Sequence, residues 1–287
     1  MRIDLHSHTI FSDGTLTPEQ LVAAAEENEV SILAVTDHDT LLGVQPTIDA
    51  ARGKNLNIIP GVELSIDMDL RNHGYIHLLG LFIDHRNSNL KSRLQKLRAA
   101  RDQRNRIILK KLESLNICLT EEELIEEAGR GSAGRPHIAV LMQRKGYARS
   151  LKEAFETYLK QGAPAYANRE KLSFTEACTL IHQAGGLAIL AHPVSMAIMD
   201  EMELEHMLLK LRSLGLDGLE VYSSFHKKNF SDRLLVLAQV HHLLVSGGSD
   251  FHGDNKPDIQ LGLGLGGLNI PVKVYDDLVK ALQNRVR

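Results

Sequence analysis

Cysteine is scarce in this chain: of 287 residues only Cys118 and Cys178 are cysteines, far apart and without a CxxC partner. This argues against a disulfide framework or a thiolate metal site and predicts two reduced, buried thiols with structural roles. Long apolar runs are also missing. No stretch is long enough to cross a bilayer, and no basic segment leads into an apolar one at the N-terminus, so a cytoplasmic location without membrane association is expected. Charge of one sign is absent too. The 33 Lys and Arg nearly balance 36 Asp and Glu, and the formal net charge of -3 names no partner. Hydrophobic content of 43% and charged content of 24% are those of an ordinary soluble globular protein. The length suits one large α/β domain or a domain with an insertion.

Histidine is what the chain does have, 14 residues of it. His6-Ser7-His8 follows the apolar segment Ile3-Asp4-Leu5, and two imidazoles at i and i+2 leave a strand on the same side. Asp13-Gly14, Thr36-Asp37-His38-Asp39, Gly61-Val62-Glu63, His77, Ala191-His192-Pro193 and Ser249-Asp250-Phe251-His252 follow in order, most of them after a run of Ile, Leu, Val and Ala.

Thr17-Pro18-Glu19-Gln20 is a helix start, with Thr17 as cap, Pro18 at the first helical position and Gln20 completing a capping box. Short β-type runs at 31–36, 56–64, 75–83, 187–191, 218–222 and 243–246 alternate with amphipathic segments such as 174–183 and 201–214. Such alternation implies a parallel sheet or barrel, and barrel enzymes gather catalytic residues at the C-terminal ends of their strands. The rhythm breaks between about 90 and 167. There 92–115, 121–128, 135–145 and 151–160 all read as helices, with a flexible glycine-rich connection at 129–134. The organisation expected is a barrel in two parts, 1–89 and 168–287, with a helical insertion subdomain at 90–167.

In their order and combination these motifs resemble the PHP (polymerase and histidinol phosphatase) family, and the resemblance runs over nearly the whole chain. It implies an α/β fold, a distorted (β/α)7 barrel holding two or three divalent metals that cleave phosphoesters. Carried over residue by residue, it implies His6, His8, Glu63 and Asp250 on one metal, with Glu63 bridging to a second held by His77 and His192. Asp13, His38 and His252 are implied for a third. Manganese is the first choice from the family, with iron and zinc also compatible with imidazole and carboxylate ligands. Asp37 and Asp39 are expected to orient His38 or nearby loops, and His73 and His85 to lie at the surface.

Three divalent ions against the carboxylates of Asp13, Glu63 and Asp250, with one hydroxide, leave a net positive centre suited to a phosphate dianion. The expected chemistry is metal-hydroxide attack on phosphorus with no protein nucleophile, which leaves Ser7, Ser249 and the cysteines structural. Within the family the chain resembles the stand-alone branch of nucleoside 3',5'-bisphosphate phosphatases and the 5'-3' exoribonuclease RNase AM. Arg135-Pro136-His137 and the segment Glu220 to His226 carry that likeness. Arg135 is expected to grip a second phosphate, and His137 and His226 to donate to phosphate oxygens. Basic residues crowd 91–111, where a solvated amphipathic helix and a guide for an RNA backbone are both open readings. The substrate expected is a nucleotide bisphosphate or short 5'-phosphorylated RNA, with no obligate protein partner. A histidinol-phosphate-type phosphatase is the enzymatic alternative, and a non-enzymatic PHP accessory module the other.

Overall fold

The computed structural model describes residues 1–68, 70, 74–129, 131, 133–168 and 170–285. His73, and Arg130 and Ser132 of the glycine-rich connection, lie outside them. Seven strands form one sheet in sequence order: β1 (Arg2–Asp4), β2 (Val30–Val35), β3 (Asn57–Ser65), β4 (His77–Leu81), β5 (Leu187–Leu190), β6 (Gly218–Ser223) and β7 (Leu244–Gly248). Backbone bonds from Leu5 N–H to Gly247 O (3.1 Å), Asp250 N–H to His6 O (3.0 Å) and His8 N–H to Phe251 O (3.0 Å) then join the chain after β1 to that after β7. The sheet therefore nearly closes into a barrel. Gly248 is required at this seam, because a Cβ there would lie 2.3 Å from His6 Cβ.

The expectation of parallel strands needs one correction. β4 runs antiparallel to both β3 and β5. β4 follows β3 in the chain and pairs with it directly, an antiparallel arrangement that needs no helical crossover of the kind a parallel pair requires. The reversal has a consequence for chemistry. His77 begins β4 and pairs with Ser65 at the end of β3, so the start of one strand reaches the mouth where the others end.

Alternation along β2 sends successive side chains into two different apolar clusters. Ile32 and Ala34 of β2, Ile59 of β3 and Leu79 and Leu81 of β4 join Leu187, Ile189, Val274 and Leu278 in one of them. Leu33 and Val35 pack with Leu21, Val22 and Ala25 in the other. Glu63 shares the strand face of Ile59, and His77 that of Leu79 and Leu81, so the first apolar core runs directly into polar side chains.

The helices are α1 (Pro18–Glu27), α2 (Val44–Ala50), α3 (Ser88–Glu113), α4 (Glu121–Ala128), α5 (Arg135–Arg144), α6 (Leu151–Ala154), α7 (Phe174–Gln183), α8 (Glu201–Ser213), α9 (Lys228–Val240) and α10 (Val272–Arg285). Thr17 and Gln20 form the capping box that starts α1. The chain divides into two compact units, Met1–Ser92 with Lys171–Arg287, and Arg93–Glu170. The second is helical throughout its described elements, with α6 continuing into a π-helical turn at Phe155–Leu159. Ile108, Leu112, Leu124, Ile138, Met142 and Leu159 form its core. Cys178 is buried, but Cys118 is exposed, contrary to expectation; it follows α3 in a loop with Ile117 and Leu119 taking the inward positions. Among the described residues no helix is long and apolar enough to cross a membrane.

Candidate metal centre

Each of the nine histidine and carboxylate residues expected as ligands lies at the barrel mouth, and each has another of them within 4 Å. One group comprises His6, His8, Glu63 and Asp250, all buried. His6 Nε2 and His8 Nε2 face each other at 3.1 Å. Glu63 Oε2 stands 3.1 and 3.2 Å from them, and Asp250 Oδ1 3.3 and 3.2 Å. Ligand atoms bound to one first-row divalent ion at about 2.0–2.2 Å stand roughly 3 Å apart, so these separations fit a shared cation.

Glu63 reaches both ways. Its Oε1 lies 2.9 Å from His77 Nδ1 and 3.0 Å from His192 Nε2, while Oε2 also lies 3.2 Å from His38 Nδ1. Around Asp13, His252 Nε2 is 3.2 Å from Oδ1 and His38 Nε2 3.8 Å from Oδ2. The structure also brings His8 to that group and His38 to the one around Glu63 and His77. Asp13 Oδ1 and His38 Nδ1 are buried without a hydrogen bond of ordinary geometry. Buried polar atoms left in this way cost free energy unless a ligand completes them. The cluster thus fits divalent metal binding in donor type, spacing and unmet coordination.

The electrostatics follow from crowding carboxylates and imidazoles out of water. Burial penalises the Glu63 and Asp13 carboxylates, yet the surrounding histidines hold both well below the usual carboxylate range. Burial likewise opposes charge on His8, but Asp250 and Glu63 raise it to about 9. For His38 burial wins and lowers it to about 4. Histidine must be neutral to bind a metal, so cations and protons compete for these rings.

Further residues hold this arrangement. Glu220, buried in β6, accepts from His192 N–H with Oε2 (2.6 Å) and places Oε1 3.0 Å from His6 Nδ1, fixing the ring so that Nε2 turns to the cluster. Asp4 accepts from Ser249 N–H (2.8 Å), Ser249 Oγ (2.6 Å) and Gly262 N–H (2.7 Å), locking the Asp250 loop to β1. Asp37 accepts from Thr9 N–H and from the hydroxyls of Thr9 and Ser12, so it organises the loop after His8. Asp39 accepts from Ser65 N–H. Three non-glycine residues here have positive φ, Asp39 at 53°, His192 at 25° and Asp250 at 56°, the local strain that functional sites retain. Glu220 and Asp4 escaped the sequence reading as supports; the one available signal was a carboxylate inside an otherwise apolar strand.

The hydroxyls set aside as non-nucleophilic have structural partners. Ser7 Oγ donates to Ala34 O and Ser249 Oγ to Asp4, while burial pushes the Cys178 thiol up to about 12. His226 Nδ1 lies 3.0 Å from the carbonyl of Val221, and burial lowers its pKa. A neutral ring donating there leaves Nε2 as an acceptor, and that atom is buried without a partner. In the helical unit, Arg135 begins α5, donates to Leu159 O (3.2 Å) and lies 5.6 Å from the Tyr166 ring centre. His137 Nδ1 accepts from Gly134 N–H (3.1 Å), which puts the proton of the neutral ring on Nε2. His85 Nε2 is 3.0 Å from Gln45 Oε1, away from the cluster.

Comparison with known proteins agrees with this chemistry. The PHP domain family model matches residues 4–161. The chain is 37% identical over 261 residues to the 5'-3' exoribonuclease Rnm of Escherichia coli, covering 90% of this chain and 87% of the relative. It is 30% identical over 261 residues to the 3',5'-nucleoside bisphosphate phosphatase of Chromobacterium violaceum, covering 91% and 90%. Among solved structures, a Bifidobacterium adolescentis protein described as a metal-dependent phosphoesterase superposes with a TM-score of 0.79 at 30% identity, covering 97% of this chain and 95% of that one.

Proposed function

Since the chain belongs to the PHP domain family and is a phosphoesterase of the hydrolase class, we propose that it removes the 3'-phosphate from nucleoside 3',5'-bisphosphates and takes nucleotides from 5'-phosphorylated short RNA. The observation that carries the reading is Glu63, whose two oxygens serve two groups of imidazoles at once. In this reading His6, His8, Glu63 and Asp250 hold one divalent ion, Glu63, His77 and His192 a second, and Asp13, His38 and His252 a third. Manganese is the preferred ion, with iron and zinc accommodated by the same donors. When bound, such ions supply Lewis acidity toward phosphoryl oxygens and lower the pKa of water.

The chain's own residues do the remaining work. Glu220 orients His6, Asp37 and Asp4 hold the loops, and the net positive balance of the loaded centre attracts a phosphate dianion. Arg135 is assigned to a second phosphate, with His137 Nε2–H as a further donor. His226, neutral and bonded to Val221 O, offers Nε2 to a hydroxyl of the substrate, and donates to phosphate only once protonated. This refines its expected role.

Purified protein supplied with Mn²⁺ is expected to release phosphate from adenosine 3',5'-bisphosphate much faster than from histidinol phosphate. The reverse order overturns the reading. Arg135→Ala is expected to lower bisphosphate turnover by about tenfold or more, as loss of a charged hydrogen bond does, and to spare a generic aryl phosphate. Equal losses on both substrates remove Arg135 from the substrate.

A further inference from the structure

Beyond the ligand cluster, the loop after His252 brings a cation to its edge. Lys256 Nζ lies 2.7 Å from Asp250 Oδ2 while Asp250 Oδ1 faces His6 and His8, so ammonium and ligand group are separated only by the width of one carboxylate. Nζ also lies 5.0 Å from the centre of the Phe225 ring, an exposed aromatic on the turn after β6. Ser224 Oγ of that turn donates to Ser249 O (2.6 Å), which fixes the aromatic beside Asp250. The Lys256 side chain is one-third exposed (33%), so it is not sealed inside the protein.

The backbone delivers Lys256 to this place by several independent bonds. Gly253 has φ +63°, and a Cβ there would meet Thr15 Oγ1 at 2.1 Å, so glycine is needed for the tight turn. Asp254 N–H donates to Thr15 Oγ1 (2.9 Å), Asn255 Nδ2 to Asp13 O (2.7 Å), and Lys256 N–H to Gly253 O (3.0 Å). One short turn therefore holds the backbone of Asp13 at one end and the carboxylate of Asp250 at the other. An ammonium has three donors. Asp250 uses one, the ring of Phe225 lies alongside, and an ammonium is a compact charge of the kind that binds phosphate with its remaining donors.

We propose that Lys256 is a phosphate-positioning residue: its ammonium, fixed beside Asp250 and over Phe225, takes a non-bridging oxygen of the phosphate held at the ligand cluster. This rests on the phosphoesterase reading above but not on the identity of the nucleotide. The competing role is a clamp that only orients Asp250. The two differ in what they change. A phosphate ligand governs phosphate affinity and KM, whereas a clamp governs metal affinity, which typically falls about 10–100-fold when an outer partner is lost.

Two measurements on Lys256→Ala, Lys256→Gln and Lys256→Arg separate them: Mn²⁺ affinity by competition with a chelator, and calorimetric titration of inorganic phosphate into the Mn²⁺-loaded protein. Lys256→Gln keeps a donor for Asp250 and removes the charge, so it reports on the charge even where Lys256→Ala folds poorly. The expected result is a loss of phosphate affinity of about tenfold or more in the Gln variant, Mn²⁺ affinity within about twofold of the parent's, and recovery in Lys256→Arg. Unchanged phosphate affinity in the Gln variant overturns the proposal. So does a large fall in Mn²⁺ affinity with normal phosphate binding once the metal is saturating. Phosphate binding needs no nucleotide, so a parent protein inactive on bisphosphates defeats the function reading and leaves this one standing.

Discussion

The barrel unit and the helical unit handle charge in opposite ways. At the barrel mouth His6, His8, Glu63 and Asp250 are fully or almost fully buried and turn their polar atoms toward one another. In the unit Arg93–Glu170, Arg106 pairs with Glu121, Arg144 with Glu127 and Lys145 with Glu123 at or near the surface, above an apolar core. Surface pairs of this kind contribute little stability and ask for nothing further. Buried carboxylates facing imidazoles cost free energy that the chain recovers only with a cation or a proton among them. One unit therefore announces its chemistry, and the other shows mainly how it folds.

The comparison breaks most sharply at Glu63. Glu63→Gln keeps the shape and removes the charge shared by the imidazoles on both sides of it. Phosphoesterase activity is expected to fall by more than about 100-fold, beyond the effect typical of an outer partner, with Mn²⁺ stoichiometry falling as well. Activity and metal content near the parent's would mean that the buried charges stabilise one another without a metal. Glu220→Gln sharpens the same point one layer out. It is expected to lower Mn²⁺ affinity by about 10–100-fold while excess metal restores most of the activity, because the ligands stay and only the hold on His6 Nδ1 weakens. An activity loss that metal cannot restore would make Glu220 a participant in the reaction.

The cluster was legible because most of its residues follow an apolar run, and a strand's end marks where its polar residues surface into the mouth. Helix limits were legible where caps and periodicity agree, as at Phe174–Gln183 and Glu121–Ala128. Strand direction was not: His77 precedes the apolar run of β4 rather than following it, and such a run reads the same in both directions. The supports were hidden by distance along the chain, since Glu220 and His6 lie 214 residues apart and Asp4 and Ser249 lie 245 apart. Lys256 was hidden for another reason, because its meeting with Asp250 depends on a turn that only Gly253 allows. In α3 the sequence showed nine basic residues between Lys91 and Lys111 without showing which are already committed.

That commitment sets the size of the last effect. Arg93 pairs with Glu170, Arg106 with Glu121, Lys111 donates to Tyr166 O, and Arg104 is buried. Lys96, Arg98 and Lys110 are exposed and carry much of the charge that α3 can offer to an RNA backbone. Replacing those three with Gln is expected to weaken binding of a short 5'-phosphorylated RNA only a few-fold near physiological salt, because each charge is solvated and screened. The slope of log affinity against log salt should flatten by about 0.7 for each RNA phosphate that the helix no longer neutralises. Turnover of adenosine 3',5'-bisphosphate should not change. A flattened slope with intact bisphosphate turnover would give the helical unit a function of its own, in steering a longer substrate. An unchanged slope would leave α3 as an amphipathic helix whose basic face is there for solvent.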